Sequence, residues 1–558
     1  MGLWWEKWPD RYQLEIDALN ESGLEYKIDQ EAKQAGQLII EVRFRHENCD
    51  IRLEAKYPAH FPFTRFIVYS PDLSLSRHQN PFDWQLCLIP KSTIYWSISD
   101  TLAQSVLKRV PQVIHVATST DLEFVRREEE SQGEPFSAYY SYPQNLGVLI
   151  RTQDLSSDIK GGILLLGLSS QYPNLITVIS VQNEQGRILW GSDPRLSERF
   201  PNHFSGRWIR MENPPPEIDP SKILDIVISR EPRLKNKIAN RRNDLIGIVY
   251  PEEVQQETFR DGWTFLKIFN EGSKKNPMKV QMIRPLRVGP EDFYSRIPEL
   301  SPLGSKKVAI FGLGCLGAPS ALQFARNGIG ELRLIDFDFV EPGTTVRWPF
   351  GLPAFGQQKS YFLSEQIKQQ YPYVKVSSED FMIGHPKMPK EEMNIINRIL
   401  ESTDLIYDAT AENGLNLLFA HLAQERGIPY VWISTTNGAW GGVTGRIVPG
   451  ETEGCFSCYG YHMYEGTIIS PNQKPGDFFQ PVGCADPTFT GPSFDIENIV
   501  LAGVRLAAAT LCCGIPNSYP DVNWDVGIVN LRDNNGNPIP PQWICKRLER
   551  YSSCPQHD

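Results

Sequence analysis

Lys307-Val308-Ala309-Ile310-Phe311-Gly312-Leu313-Gly314-Cys315-Leu316-Gly317 decides the fold of the C-terminal half. Its opening residues read as a buried strand, and its glycines lead into a helix read from Ala318 to Asn327. Glycines at this spacing permit a tight turn and let backbone N–H groups approach a phosphate at the helix N-terminus. A second strand, Leu332-Arg333-Leu334-Ile335, ends in Asp336, nineteen residues after Gly317, where a carboxylate accepts from ribose hydroxyls. Strand, glycine turn, helix and strand in this order predict a doubly wound α/β nucleotide-binding domain.

The chain around it has 558 residues, too many for one core, so two or three domains are expected. Hydrophobic content of 41% and charged content of 22% are those of an ordinary globular protein, and a net charge of −10 argues against a nucleic-acid or anionic-membrane partner. Met1-Gly2-Leu3-Trp4-Trp5-Glu6-Lys7 lacks the basic-then-apolar pattern of a secretory signal, and Glu6 argues against myristoylation. The longest uncharged run, Val308 to Ala325, is broken by glycines and Pro319 and makes a poor membrane span. A cytoplasmic protein is expected, with cysteines serving as thiols or metal ligands rather than as a disulfide framework.

Nearer the N-terminus, Tyr12, Ile16 and Leu19 fall at helical spacing, Leu38 to Phe44 and Ile51 to Ala55 alternate as strands, and Leu102, Val106, Val110 and Val113 mark another helix. The charged stretch from Arg126 to Pro135 reads as a linker or a solvated helix end. Between 136 and 290, apolar runs such as Gly162 to Leu166 alternate with breakers such as Pro214-Pro215-Pro216. This predicts a middle α/β domain without a visible catalytic constellation.

A glycine turn of this type commonly serves NAD. Here Asp336-Phe337-Asp338-Phe339-Val340 is followed by Arg347 and Lys359, cations suited to a triphosphate attacked at its α-phosphate. The run resembles the adenylating domain of ThiF, MoeB and the ubiquitin-activating enzymes, where Asp-x-Asp-x-Val precedes Asn-x-x-Arg and Lys. The resemblance implies ATP and Mg2+, with Gly312, Gly314 and Gly317 as the phosphate turn. Asp336 would bind ribose, Arg347 and Lys359 the phosphates, and Asp338 would assist. Thr344 stands where the family has Asn, and Trp348 where it has Gln.

Leu405-Ile406-Tyr407-Asp408-Ala409-Thr410-Ala411-Glu412-Asn413 resembles the family's Asp-x-Thr-Asp-Asn strand end. The family's magnesium-contacting second Asp falls on Ala411, so Asp408 or Glu412 is expected to replace it. Phe293-Tyr294-Ser295-Arg296 resembles the run whose Arg reaches ATP across a dimer. It implies a homodimer through this domain, with Arg296 completing the partner's site.

Gly454-Cys455-Phe456-Ser457-Cys458 is a C-x-x-C knuckle, and the sequence closes on Cys554-Pro555-Gln556-His557-Asp558. Related adenylating domains often hold structural zinc through one C-x-x-C and a distant C-P-x-C. That implies Zn2+ on Cys455, Cys458, Cys554 and His557, with Cys545 as substitute for the last ligand; four protein ligands leave no open catalytic position. Gly483-Cys484-Ala485-Asp486-Pro487-Thr488-Phe489 lies in a loop-like stretch and resembles the crossover loop of thioester-forming relatives, making Cys484 the expected nucleophile. Cys315, Cys512 and Cys513 are expected to pack in the core.

Tyr57-Pro58-Ala59-His60-Phe61-Pro62-Phe63 resembles the Tyr-Pro-Phe-x-Pro-Pro turn of ubiquitin-conjugating enzymes. His78-Gln79-Asn80, then Leu86-Cys87-Leu88 and Trp96, is similar to their His-Pro-Asn turn, catalytic Cys and downstream Trp, with Gln79 in place of Pro and a loop one residue shorter. The resemblance makes Cys87 the conjugating thiol and Asn80 the donor to the oxyanion formed when a lysine attacks. His78 is expected to stabilise the turn.

The expected order is an α+β ubiquitin-conjugating-like (UBC-like) domain at 1–125, the middle α/β linker domain at 136–290, and a Rossmann-like ThiF/MoeB-type adenylating domain at 291–558. Together they resemble the fused bacterial enzymes of CBASS antiphage operons, which join the C-terminal carboxylate of a cGAS-like nucleotidyltransferase to a target amine. That implies adenylation, a thioester on Cys484, transfer to Cys87, and ligation to a lysine-bearing acceptor protein. Two rival readings are a sulfur-carrier adenylyltransferase with a non-catalytic N-terminal binding domain and an NAD-dependent oxidoreductase.

Overall fold

The computed structural model describes every residue except 1, 48, 89–95, 120, 122, 126–132, 144, 152, 236–242, 256, 270–278, 385–388, 477–487 and 558. The chain divides into two compact units, Met1–Val288 and Gly289–Asp558.

In the first unit, α1 (Pro9–Ser22) starts on a proline and stops at Gly23, whose φ of 72° suits a residue without Cβ. An antiparallel meander follows: β1 (Glu25–Ile28), β2 (Ile39–His46), β3 (Cys49–Lys56), β4 (Ile67–Tyr69) and β5 (Gln85–Leu86). Ile40, Val42 and Phe44 of β2 lie opposite Ala55, Leu53 and Ile51 of β3, all buried, so strand alternation aims one face at the core. Helix α2 (Leu102–Thr118) begins with a Thr101/Gln104 capping box and packs against α1.

Glu15 of α1 ties these pieces together. It is fully buried and accepts from Tyr57 Oη at 3.0 Å, Leu102 N at 3.0 Å and Arg11 Nη2 at 2.8 Å. Burial raises its carboxyl above the usual range against the pull of these partners.

The same unit contains β6 (Gly147–Ile150), β7 (Gly161–Leu168), β8 (Leu175–Asn183), β9 (Ile188–Gly191), β10 (Asn202–Arg210), α3 (Pro220–Arg230), β11 (Asn243–Gln255), β12 (Thr258–Phe269) and β13 (Lys279–Arg287). The sheet runs β6-β13-β12-β11-β10-β7-β8-β9, and β6 also pairs with β8, so the strands close on themselves. Trp208, Trp263, Phe265 and Ile283 share the enclosed core, while Ile246, Ile248 and Met282 pack with Ile223, Leu224 and Val227 of α3. The middle region is thus mixed α and β, with strands predominating.

The second unit is built on β14 (Lys307–Phe311), α4 (Gly317–Arg326), β15 (Glu331–Ile335), α5 (Lys359–Gln370), β16 (Lys375–Glu379), β17 (Leu405–Asp408), α6 (Asn413–Arg426), β18 (Tyr430–Thr435), β19 (Gly441–Ile447), α7 (Phe456–Glu465), α8 (Ser493–Cys512), β20 (Val526–Arg532) and β21 (Pro538–Lys546). Its sheet order is β16-β15-β14-β17-β18-β19-β20-β21, parallel from β16 to β18 and antiparallel beyond. The order reverses at β14, which places a crevice at the carboxyl ends of β14, β15 and β17. Helix α8 covers β18 and β19; Cys512 is buried there as expected, but Cys513 forms the helix cap and is exposed. Among the described residues no helix is long and apolar enough to cross a membrane.

Candidate active sites and metal centre

The glycine turn leaves β14 at Gly312, whose φ is +80°; a Cβ there would come within 2.9 Å of the Thr410 backbone. A Cβ on Gly317 would lie 1.8 Å from the Gly312 carbonyl oxygen, so the first turn of α4 can close on the strand only with glycine there. Gly314 faces open space, and no side chain caps α4. Ala318 N donates to the Gly314 carbonyl at 3.1 Å and Pro319 has no N–H, so it is the glycine turn itself that lies open beside the helix start, where an anion is favoured.

Asp336, at the end of β15, accepts from Leu313 N at 2.6 Å through Oδ2 and from Asp338 N at 2.8 Å through Oδ1. Burial raises its carboxyl, and the Lys359 ammonium opposes that rise. Lys359, the first residue of α5, is itself buried and ion-paired with Asp338. Arg347 donates from Nη1 to the Phe489 carbonyl oxygen at 2.6 Å, with its guanidinium 4.9 Å from the Phe489 ring centre. Cys315 feels both Arg347 and Lys359, yet burial dominates and holds its thiol protonated, in keeping with packing rather than chemistry.

The expectation for Asp408 is corrected. Its carboxylate is wholly buried, with Oδ1 accepting from Thr410 N and Oγ1, and Oδ2 from Asn416 Nδ2 at 2.6 Å and Tyr430 Oη at 2.8 Å. Glu412 is likewise engaged, capping α6 through Gly414 N and Leu415 N. Of the carboxylates named for this site, Asp338 and Glu412 are exposed; Asp338 is paired with Lys359 and Glu412 with the first N–H groups of α6.

Arg296 is exposed, just beyond the short helix Pro290–Tyr294. Tyr294 bonds the Gly328 carbonyl past the C-terminal end of α4. A ten-residue helix, about 15 Å long, therefore stands between that anchor and the glycine turn of the same chain.

Cys455, Cys458, Cys554 and His557 bring one donor atom each to within 4.8 Å of the others. Cys455 Sγ lies 3.7 Å from Cys458 Sγ and 3.6 Å from Cys554 Sγ. His557 Nε2 is buried without a hydrogen-bond partner, as expected of a nitrogen facing an ion. Thiols and imidazole in this arrangement fit a closed tetrahedral zinc site that would staple the tail to α7. Cys545 is exposed on β21 and stands outside the cluster.

Cys87 is exposed between Leu86 and Leu88, both buried in the core of the β1–β5 domain. Its N–H donates to the His78 carbonyl at 2.8 Å, and His78 holds a φ of 60°. Gln79, the departure noted in the His78-Gln79-Asn80 turn, plugs the turn: it is buried, accepts from Leu75 N and donates to the Ser70 carbonyl. The Asn80 side-chain oxygen accepts from Phe82 N at 2.9 Å, orienting the amide in the turn before Cys87. Trp96 donates to the Pro62 carbonyl and packs on Phe61 and Phe66. Cys484 lies outside the described residues.

Sequence reasoning missed several participants. Trp348 bonds Leu313 in the glycine turn. Asn437 accepts from Thr490 N and Oγ1 and donates to the Lys474 carbonyl, bracketing the segment that carries Cys484. Glu134 and Tyr139 come up to the Cys87 turn. Part of the supposed solvated linker is thus half-buried structure; the aromatic series Phe136, Tyr139, Tyr140 and Tyr142 directly after it was the available signal.

Residues 292–512 match the model of the ThiF family, and residues 20–148 match that of prokaryotic E2 family B. A ThiF match in one half and a prokaryotic E2 match in the other, with an exposed thiol in the latter, fit a bacterial fusion of a ubiquitin-activating-like (E1) with a ubiquitin-conjugating-like (E2) enzyme. It is 29% identical to the uncharacterized protein y4oA of Sinorhizobium fredii over 99% of this chain and 97% of that one. It is 21% identical to the ATP-dependent ubiquitin transferase-like protein Cap2 of Pseudomonas aeruginosa, across 76% of this chain and 77% of that one. The crystal structure of E. coli MccB with ATP matches 46% of this chain and 68% of that one at 17% identity and a TM-score of 0.34, too slight a likeness to argue from.

Proposed function

We propose that this enzyme conjugates the C-terminal carboxylate of a partner protein to an amine at the expense of ATP. The carboxylate oxygen attacks the α-phosphorus and pyrophosphate leaves, giving an acyl-adenylate. The Cys484 thiolate attacks the acyl carbon and AMP leaves. The Cys87 thiolate then takes the acyl group and Cys484 leaves as thiolate. A lysine amine attacks the second thioester, Cys87 leaves, and the amine proton passes to solvent or a base as the amide forms.

Gly312, Gly314 and Gly317 would receive the phosphates, Asp336 the ribose, and Lys359 and Arg347 the charge that develops at the α-phosphate. Arg296 would act across a homodimer, and zinc would be structural. The partner would be a cGAS-like nucleotidyltransferase, the setting cytoplasmic and the role antiphage defence, as the resemblance to the fused CBASS enzymes implies. Cap2's name as an ATP-dependent ubiquitin transferase-like protein supports conjugation.

The observation that carries this reading is the exposed Cys87, framed by buried leucines beside an oriented Asn80, because a sulfur-carrier activator has no use for a second thiol so presented. The test is incubation with ATP and a cGAS-like nucleotidyltransferase, the proposed partner, followed by non-reducing mass spectrometry. A reducible acyl adduct on Cys87 is expected. Pyrophosphate exchange without any adduct at Cys87 returns the N-terminal domain to a binding role.

A further inference from the structure

The turn that presents Cys87 is held from outside its own domain. Arg77 Nη2 lies 2.5 Å from Glu253 Oε1 on β11, both side chains largely buried. The next residue, His78, donates its backbone N–H to Glu134 Oε1 at 2.6 Å, and its ring Nδ1 lies 3.4 Å from the same oxygen. The backbone N–H of Glu134 donates in turn to Glu253 Oε2 at 3.0 Å, tying the Glu253 carboxylate to the main chain that carries Glu134. Phe82, just after Asn80, packs edge-on to Phe136 at 5.5 Å and meets Tyr140 at 5.7 Å.

His78 is the hinge of this arrangement. A φ of 60° on a residue with a Cβ persists only where its surroundings enforce it. Glu134 engages its N–H on one side, and Cys87 N engages its carbonyl on the other. Tyr139 donates to Glu134 Oε2 at 3.0 Å, and burial, Glu134 and Cys87 all push its hydroxyl upward, so it stays a donor within electrostatic reach of the thiol.

We propose that Glu134 is a positioning residue for the chemistry at Cys87: through His78 it fixes the turn that presents the thiol, and with Tyr139 and Glu253 it lets the middle domain govern the conjugating site. This rests on reading Cys87 as the thioester-bearing residue. A passive linker would not account for one carboxylate reaching the backbone of the active turn while a second neutralises the adjoining arginine. Among the described residues, the charged and titratable groups around Cys87 include Arg77 and His78 on its own turn, Arg109 of α2, which donates to the Leu88 carbonyl, and Glu134, Tyr139 and Glu253.

The test uses the full chain and iodoacetamide, following alkylation at each cysteine by mass spectrometry between pH 6 and 10, with exposed Cys49 as internal reference. Glu134→Gln keeps an oxygen for the His78 N–H but removes the negative charge. Cys87 should then react about three- to ten-fold faster near neutral pH, as its thiolate fraction rises, while Cys49 is unchanged. Glu134→Ala should in addition change the high-pH plateau at Cys87, because the turn loses its anchor. A merely structural contact would leave the midpoint of the Cys87 profile in place. An unchanged midpoint and plateau overturn the proposal; if the alanine variant does not fold, the midpoint in Glu134→Gln decides alone. A Cys87→Ala chain that conjugates at the parental rate would instead remove the thioester assignment and leave the alkylation result standing.

Discussion

Trp348 donates its indole N–H to the carbonyl oxygen of Leu313 at 2.8 Å, and the N–H of Leu313 reaches Asp336 at 2.6 Å. Both backbone polar groups of one residue in the glycine turn are therefore fixed from opposite sides, one by the Trp348 indole and one by the Asp336 carboxyl. The indole is buried against Phe350 and Phe362, so the donor is itself held by packing.

Trp348→Phe should keep most of that packing and lose the bond, at a cost of about 0.5–1.5 kcal/mol. Calorimetry should show ATP binding weakened about two- to ten-fold. Lys359→Ala removes a charge-assisted contact of about 1.5–3 kcal/mol, and should depress ATP–pyrophosphate exchange more strongly than it depresses binding. Equal ATP affinity in parent and Trp348→Phe would detach the tryptophan from the nucleotide.

For the metal, elemental analysis should find about one zinc per chain. Cys455→Ser and His557→Ala should each lower zinc content and thermal stability together, whereas Cys545→Ser should leave both unchanged. Full zinc in His557→Ala would take that residue out of the ligand set.

On the proposed relay, loss of each thiol should stop the reaction at a different stage. Cys484→Ala should form adenylate and load neither cysteine; Cys87→Ala should accumulate a reducible thioester on Cys484. Asn80→Ala should load both but discharge to lysine slowly, since one oxyanion donor is worth about 100- to 1,000-fold in rate. Loading of Cys87 in the Cys484→Ala chain would mean direct transfer from the adenylate.

Glu15 gives the N-terminal domain a pH signature. Its carboxyl is raised from the ordinary 4.5 by burial. The stability it contributes is then fully present below that value and is lost as pH rises through the elevated folded value. Glu15→Gln stays neutral throughout, so between pH 4 and 7 the parent should lose stability relative to the variant. Hydrogen exchange in α1 and α2, compared at each pH, reads the difference, and a constant gap would show that the carboxyl titrates normally.

What was legible in the sequence was local. The glycine turn declared itself because its strand, its helix start and Asp336 lie within one βαβ unit. Cys455 and Cys458 did so through their spacing, and Cys87 through its flanking leucines. What was not legible depended on distant partners. Asp408 reads as a candidate ligand until Asn416 and Tyr430 fold over it, and that enclosure needs β18 to lie beside β17. Glu134 sits in a charged stretch and becomes part of the Cys87 site only when β11 brings Glu253 to it. Cys545 stood as the substitute for His557 until β21 carried it away.

The closure of the middle sheet bears on how the chain is made. Gly147 pairs with Arg284, almost the whole domain away in sequence. Joins between such distant segments form slowly, because the intervening loop must first be gathered. During synthesis the ring stays open until the chain has emerged past Arg287, and a nascent N-terminal domain waits that long for the completed fold around Glu134 and Glu253. A ribosome-stalled fragment ending before β13 would present Cys87 in a turn not yet fastened, so that turn matures only after the sheet that surrounds it.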